Sequence, residues 1–186
     1  IRSDVDVFIL SDNSTLDDIA GLLNGRSNID ALHFVTHGSQ GVLLIGNERY
    51  DETNIADSSA ALEKIGSTLS EDGDILLYGC NIAATGEGQS FIEQFALLTS
   101  ADVAASNDAT GNVLLGGDWE LELKSGPIET DEIDAAEFRG LLSPAPVLST
   151  SGSSNLSGGG GNAFTTANFT TINEDITNSS GDRVST

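Results

Sequence analysis

With 186 residues, 38% hydrophobic and 5% aromatic, the chain has material for one aliphatic core of ordinary size plus a tail. Seven Lys and Arg against 29 Asp and Glu set the formal charge at −22, a field that repels nucleic acid and anionic membranes. No apolar stretch approaches the roughly 20 residues that span a bilayer, and a single cysteine excludes an internal disulfide or a CxxC pair.

The segment "VDVFIL" (5–10) is apolar and β-branched and is expected to be a first strand. In "DNSTLDDIAGLLNG", Ser14 or Thr15 can cap a helix whose apolar stripe is Leu16, Ile19, Ala20, Leu22 and Leu23, with Gly25 to end it. "ALHFVT" (31–36) is a second strand, and "GVLLIGNERY" (41–50) is a hairpin turning at Gly46-Asn47. A helix over 58–69 precedes a third, buried strand, "DILLYG" (74–79). "GEGQSFIEQFALLTSA" places Phe91, Ile92, Phe95, Ala96 and Leu98 on one helical face. "DVAAS" (102–106) is a fourth strand, "DWELELK" (118–124) alternates like a half-buried edge strand, and "IDAAEFRGLL" reads as a terminal helix docked on the sheet. From Ser143 the composition turns to Ser, Gly and Pro, predicting a linker over 143–162. Residues 163–186 are Thr- and Asn-rich, the start of a β-rich module or a packed tail. The absence of Met, with Ile at position 1, reads as an excerpt from a longer precursor.

Strands alternating with helices predict an α/β fold: right-handed crossovers and a mostly parallel sheet with helices on both faces. Ligands of such sheets bind beyond the carboxyl ends of the strands, where His37 follows the second strand and Cys80 the third. Parallel strands then bring the two side chains to one edge. Gly38 and Gly79 beside them leave room for backbone to approach a substrate and for N–H groups to face a developing oxyanion. No metal is expected, because His33 and His37 on one strand stand roughly 13 Å apart. His33 is read as a core or edge histidine and Trp119 as core rather than a sugar platform.

An apolar strand ending in His-Gly, followed by another ending in Gly-Cys, resembles the caspase-like cysteine peptidases, a superfamily with a three-layer sandwich fold. It includes legumains, gingipains, separases, caspases and the self-cleaving domains of large bacterial toxins. "LHFVTHG" and "DILLYGC" carry the likeness. More narrowly, "YGCNIAATGEGQSFIEQFA" and "TSADVAASNDATGN" are similar to a domain of very large bacterial adhesin and cadherin-like repeat proteins, and the likeness assigns residues 1–142 to that domain.

The resemblance implies Cys80 as nucleophile, His37 as general acid–base and the N–H groups of Gly38 and Cys80 as oxyanion hole, with no cofactor. It implies Ser106 and Asp108 in a substrate pocket, where an acidic Asp108 favours a basic residue. Arg139-Gly140 then marks a self-cleavage point, with Leu141 and Leu142 as neighbouring choices. The expected partner is a peptide segment of this or a neighbouring chain, and calcium is expected only in downstream repeats. The expected location is the bacterial surface or exterior, within a larger protein. The competing expectation is an inactive module of the same fold that serves adhesion or assembly.

Overall fold

Apolar residues on both sides of one strand make it the centre of a sheet, and β5 (Leu69–Tyr78) has that pattern, its last six residues all buried. In the computed structural model, which describes residues 5–133 and 135–143, β5 lies between two parallel neighbours, β1 (Ile29–Val35) and β6 (Asp102–Ala105). The short β7 (Leu123–Lys124) closes the far edge antiparallel to β6, for the order β1-β5-β6-β7. A second sheet, β2-β3-β4, is built from Gly38–Ser39, Val42–Ile45 and Glu48–Tyr50. Its β3–β4 hairpin turns at Gly46-Asn47 as predicted, with Gly46 at φ 58° where glycine carries no steric penalty.

Among the described residues, α1 (Leu16–Leu22) precedes β1, α2 (Ser59–Gly66) leads from β4 to β5, and α3 (Thr85–Thr99) joins β5 to β6. Thr15 caps α1 through a capping box with Asp18, each side chain accepting the other residue's main-chain N–H. All three helices contribute to one apolar cluster, in which Leu16, Leu62, Ile65, Phe91 and Phe95 meet Ile75 and Leu77 of β5 and Val103 of β6. Each such large side chain, fully buried, stabilises the fold by about 1.5–3 kcal/mol.

The α/β class and mostly parallel sheet are as expected, but the second layer is not helical among the described residues. Leu76, Tyr78 and Ala104 point to the opposite face, where Trp119, Leu121, Ile128, Ile133, Leu141 and Leu142 cover them from an irregular C-terminal segment. Two side chains of β5 hold that segment down. The buried Asp74 carboxylate accepts the N–H groups of Glu129 (3.0 Å) and Thr130 (2.9 Å), and the Tyr78 hydroxyl accepts that of Ile133 (2.8 Å).

Burial pushes the Tyr78 phenol up to about 12, opposed by the Ile133 N–H and reinforced by Glu132. An unfolded tyrosine ionises near 10, so the fold's advantage is whole below that pH and is lost as pH rises toward about 12. Between about pH 9 and about pH 11.5, urea unfolding should show the wild type losing roughly 2 kcal/mol more than Tyr78→Phe.

Three predicted elements differ. Residues 5–10 form no strand: they lie exposed, Ile9 at 96%, and face the free edge of β1 across a cleft of about 450 Å³. Without a ladder to join, β-propensity alone orders nothing. Of 118–124 only Leu123 and Lys124 join the sheet, opposite Ala105 and Ala104 of β6, while Asp118 makes an isolated parallel bridge with Thr110. The predicted terminal helix is absent, its main-chain groups being bonded elsewhere, as described below. The linker and tail expected at 143–162 and 163–186 lie, Ser143 apart, outside the described residues.

Candidate functional site

β1 and β5 run in register to their ends, Val35 opposite Tyr78, and the Thr36 N–H extends the ladder to the Tyr78 carbonyl at 3.0 Å. Both chains then leave the sheet at the same edge, one through His37-Gly38 and the other through Gly79-Cys80. The two turns pack backbone against backbone. A methyl group on Gly38 would lie 2.6 Å from Ile82 Cγ1 and 2.9 Å from the Cys80 carbonyl, and one on Gly79 would lie 2.9 Å from the Thr36 carbonyl. Both glycines are therefore demanded by close approach, not by turn geometry. Asn81 supplies the sharp exit after the cysteine at φ 61°, a conformation asparagine tolerates better than most residues.

The predicted oxyanion donors converge. The Gly38 N–H (3.1 Å) and the Cys80 N–H (3.4 Å) both donate to one acceptor, the carbonyl oxygen of Leu142. The thiol lies beside the same residue: Cys80 Sγ donates to the Thr110 carbonyl (3.6 Å), which also accepts the Leu142 N–H (2.9 Å). Cys80 is only 2% exposed. Burial pushes its thiol up, main-chain groups of Thr110, Leu142 and Cys80 itself pull it down, and Asp108 adds a small upward push. His37 is exposed, its carbonyl accepts the Leu44 N–H (3.1 Å), and its ring has no hydrogen-bond partner among the described residues.

Leu142 reaches this position because residues 138–142 lie extended against the loop after β6. Asn112 Nδ2 donates to the Phe138 carbonyl (2.7 Å), Asn112 N–H to the Gly140 carbonyl (2.8 Å), and Gly111 and Leu141 form an antiparallel bridge. Gly111, at φ 140°, has no room for a side chain because Gly140 O would meet it. A helix would need these same N–H and carbonyl groups for itself, which is why none forms. Arg139 is exposed, and the Gly140 carbonyl is held by Asn112, so the carbonyl beside Cys80 is that of Leu142, three residues beyond the predicted arginine.

Ser106 is fully buried, and its hydroxyl closes its own turn, accepting the Asp108 N–H (3.3 Å) and donating to the Asp108 carbonyl (3.2 Å). It faces no substrate space. Asp108 is exposed, and partial burial followed by Glu122 and Asp118 raises its carboxyl above the usual range. Asp108, Asp118 and Glu122 offer oxygens within 4.8 Å of one another, donors of the kind that hold a hard cation such as calcium. That grouping was not read from the sequence, since a loop brings the three together. His33 stacks on Tyr78 at the sheet edge (ring centroids 5.9 Å apart), and desolvation lowers its pKa against the pull of Asp74. Trp119 packs between Tyr78 and Phe138, as core.

Residues 1–142 match a family described as a domain of unknown function, DUF4347. No curated protein and no solved structure matches the chain.

Proposed function

We propose that this chain, which belongs to the DUF4347 family, is a cysteine peptidase of the caspase-like type in which Cys80 attacks and His37 moves the proton. One observation carries the reading: two main-chain N–H groups, one beside each predicted catalytic residue, point at a single peptide carbonyl that touches the cysteine's loop. That is how a site stabilises the charge on a tetrahedral intermediate, a contribution usually among the largest in acyl transfer. His-Gly and Gly-Cys at the ends of adjacent parallel strands support the same reading. The acidic composition suits work outside the cell as part of a larger surface protein.

A second reading is favoured by the sulfur itself. Reactive cysteines sit in electropositive, partly exposed surroundings, whereas Cys80 is buried and its thiol is pushed up. On that reading the module is inactive, and the Leu142 carbonyl is a permanent structural contact in a domain serving adhesion or assembly. Alkylation by iodoacetamide, followed by mass spectrometry, separates the two. In a peptidase, His37→Ala slows modification of Cys80 at neutral pH by about 10²-fold, the usual scale of a lost general base. Equal rates in both proteins favour the inactive module.

A further inference from the structure

Resting on the peptidase reading, we infer that the chain carries its own substrate: residues 138–142 form a strap bonded to the loop after β6 and to the Gly38 and Cys80 N–H groups, and the bond between Leu142 and Ser143 is the one Cys80 cuts. Three independent features of the geometry support this. The strap is held by one antiparallel bridge, Gly111 with Leu141, in which Gly140 O and Leu142 N bond to Asn112 N and Thr110 O, a local form of the main-chain pairing by which extended peptides are gripped. The carbonyl in the double N–H site is that of Leu142, which makes Leu142 the acyl residue. Its side chain is buried to 7% exposure among Leu76, Tyr78, Cys80, Ala104 and Leu121, whereas Ser143 on the leaving side is exposed. The pocket before the cut is therefore apolar and sized for leucine, and the earlier expectation of a basic residue there does not fit it.

The chemistry balances within the site and one water. His37 takes the thiol proton as Cys80 sulfur bonds to the Leu142 carbonyl carbon, and the oxygen becomes an oxyanion held by the Gly38 and Cys80 N–H groups. Collapse breaks the C–N bond, and the Ser143 nitrogen leaves with the proton from His37, so that a thioester joins Leu142 to Cys80. Water then adds to the thioester. Its hydroxyl stays on Leu142 as a carboxyl group, and its other proton returns through His37 to the sulfur. The new Leu142 carboxylate keeps the strap's other hydrogen bonds and so blocks the site, making the enzyme its own single-turnover substrate and a poor peptidase toward others.

The test is incubation of the full chain with intact-mass and N-terminal analysis. The expected products are one fragment ending at Leu142 and one beginning at Ser143, at a rate independent of protein concentration. Cys80→Ala should stay whole. Leu142→Asp should be cut at least about 10²-fold more slowly, because a carboxylate in the apolar pocket lacks a partner, while Leu142→Met, of similar volume, keeps most of the rate. A native-like circular dichroism spectrum for each variant shows that folding is not the cause. Cleavage at another bond, or a first-order rate constant that rises with protein concentration, overturns the resident-substrate inference and leaves the peptidase reading standing. So does an intact wild type whose Cys80 alkylation still depends on His37. An intact wild type without that dependence, or cleavage that persists in Cys80→Ala, overturns both.

Discussion

Replacing Gly38 with alanine lowers cleavage at Leu142 by about 10²–10³-fold while alkylation of Cys80 changes by less than about tenfold. The added methyl group meets Ile82 Cγ1 at 2.6 Å, the Cys80 carbonyl oxygen at 2.9 Å and the Gly79 carbonyl carbon at 3.0 Å. Two of these are backbone, and the third is a fully buried side chain, so the His37-Gly38 turn must back away from Gly79-Cys80. Its N–H then leaves the Leu142 oxygen, and one of two oxyanion donors is lost. Alkylation by a small reagent generates no oxyanion and needs only the sulfur and its base. The two rates therefore part company, which a general loosening of the site does not produce. Overpacking of this kind costs about 1–3 kcal/mol, visible as a lower urea midpoint. If cleavage and alkylation fall together by the same factor, Gly38 is a spacer and its N–H has no special part in acyl transfer.

A buried, proton-holding thiol is consistent with this chemistry once the strap is counted as substrate. The sulfur is covered by Thr110 and Leu142, the same residues that form the acyl contact. Burial raises the cost of a free thiolate, so the proton leaves as the sulfur–carbon bond forms, with the developing charge passing to an oxygen that already has two donors. Exposure of His37 leaves it open to the water that the second half of the proposed reaction needs.

How much of this was legible beforehand follows from which partners are local. β5, β6 and α3 announce themselves through runs and stripes of apolar residues, and the Gly46-Asn47 turn through its own chemistry. That His37 and Cys80 follow strands ending at one edge of the sheet needed only that those strands be parallel neighbours, as Val35 and Tyr78 in register show. The strap was hidden because its conformation is decided from far away. Ala, Glu, Arg and Leu in "IDAAEFRGLL" favour a helix by small intrinsic preferences. Asn112, Thr110, Gly38 and Cys80, all distant along the chain, supply enough bonds to override them. The same distance hid the Asp108–Asp118–Glu122 group. Residues 5–10 err in the other direction: their pattern is strand-like, but a strand is a pairing, and among the described residues none pairs with the edge of β1 beside them.

Asp74→Ala should loosen the segment that leads into the strap and expose the thiol without touching the proposed catalytic pair. The buried carboxylate accepts two N–H groups at 2.9 and 3.0 Å, and bonds to a charged acceptor are each worth about 1.5–3 kcal/mol. Part of that is returned because an ionised side chain no longer has to be buried, so a net loss of about 3 kcal/mol is expected. Since about 1.4 kcal/mol corresponds to a factor of ten in an opening equilibrium, alkylation of Cys80 should rise by about 10²-fold. Tyr78→Phe removes only the Ile133 bond and should give a smaller rise in the same direction. Cleavage at Leu142 should fall in both variants, because a strap that spends more time open presents its carbonyl to Gly38 and Cys80 less often. Thiol reactivity and self-cleavage thus move in opposite directions, and an alkylation rate that stays flat in low urea separates this local opening from global unfolding, which also exposes the thiol. If alkylation stays at the wild-type rate while stability drops, residues 138–142 are held by Asn112 and Thr110 independently of the Asp74 anchor. Residues 138–142 would then cover Cys80 without help from residues 129–133.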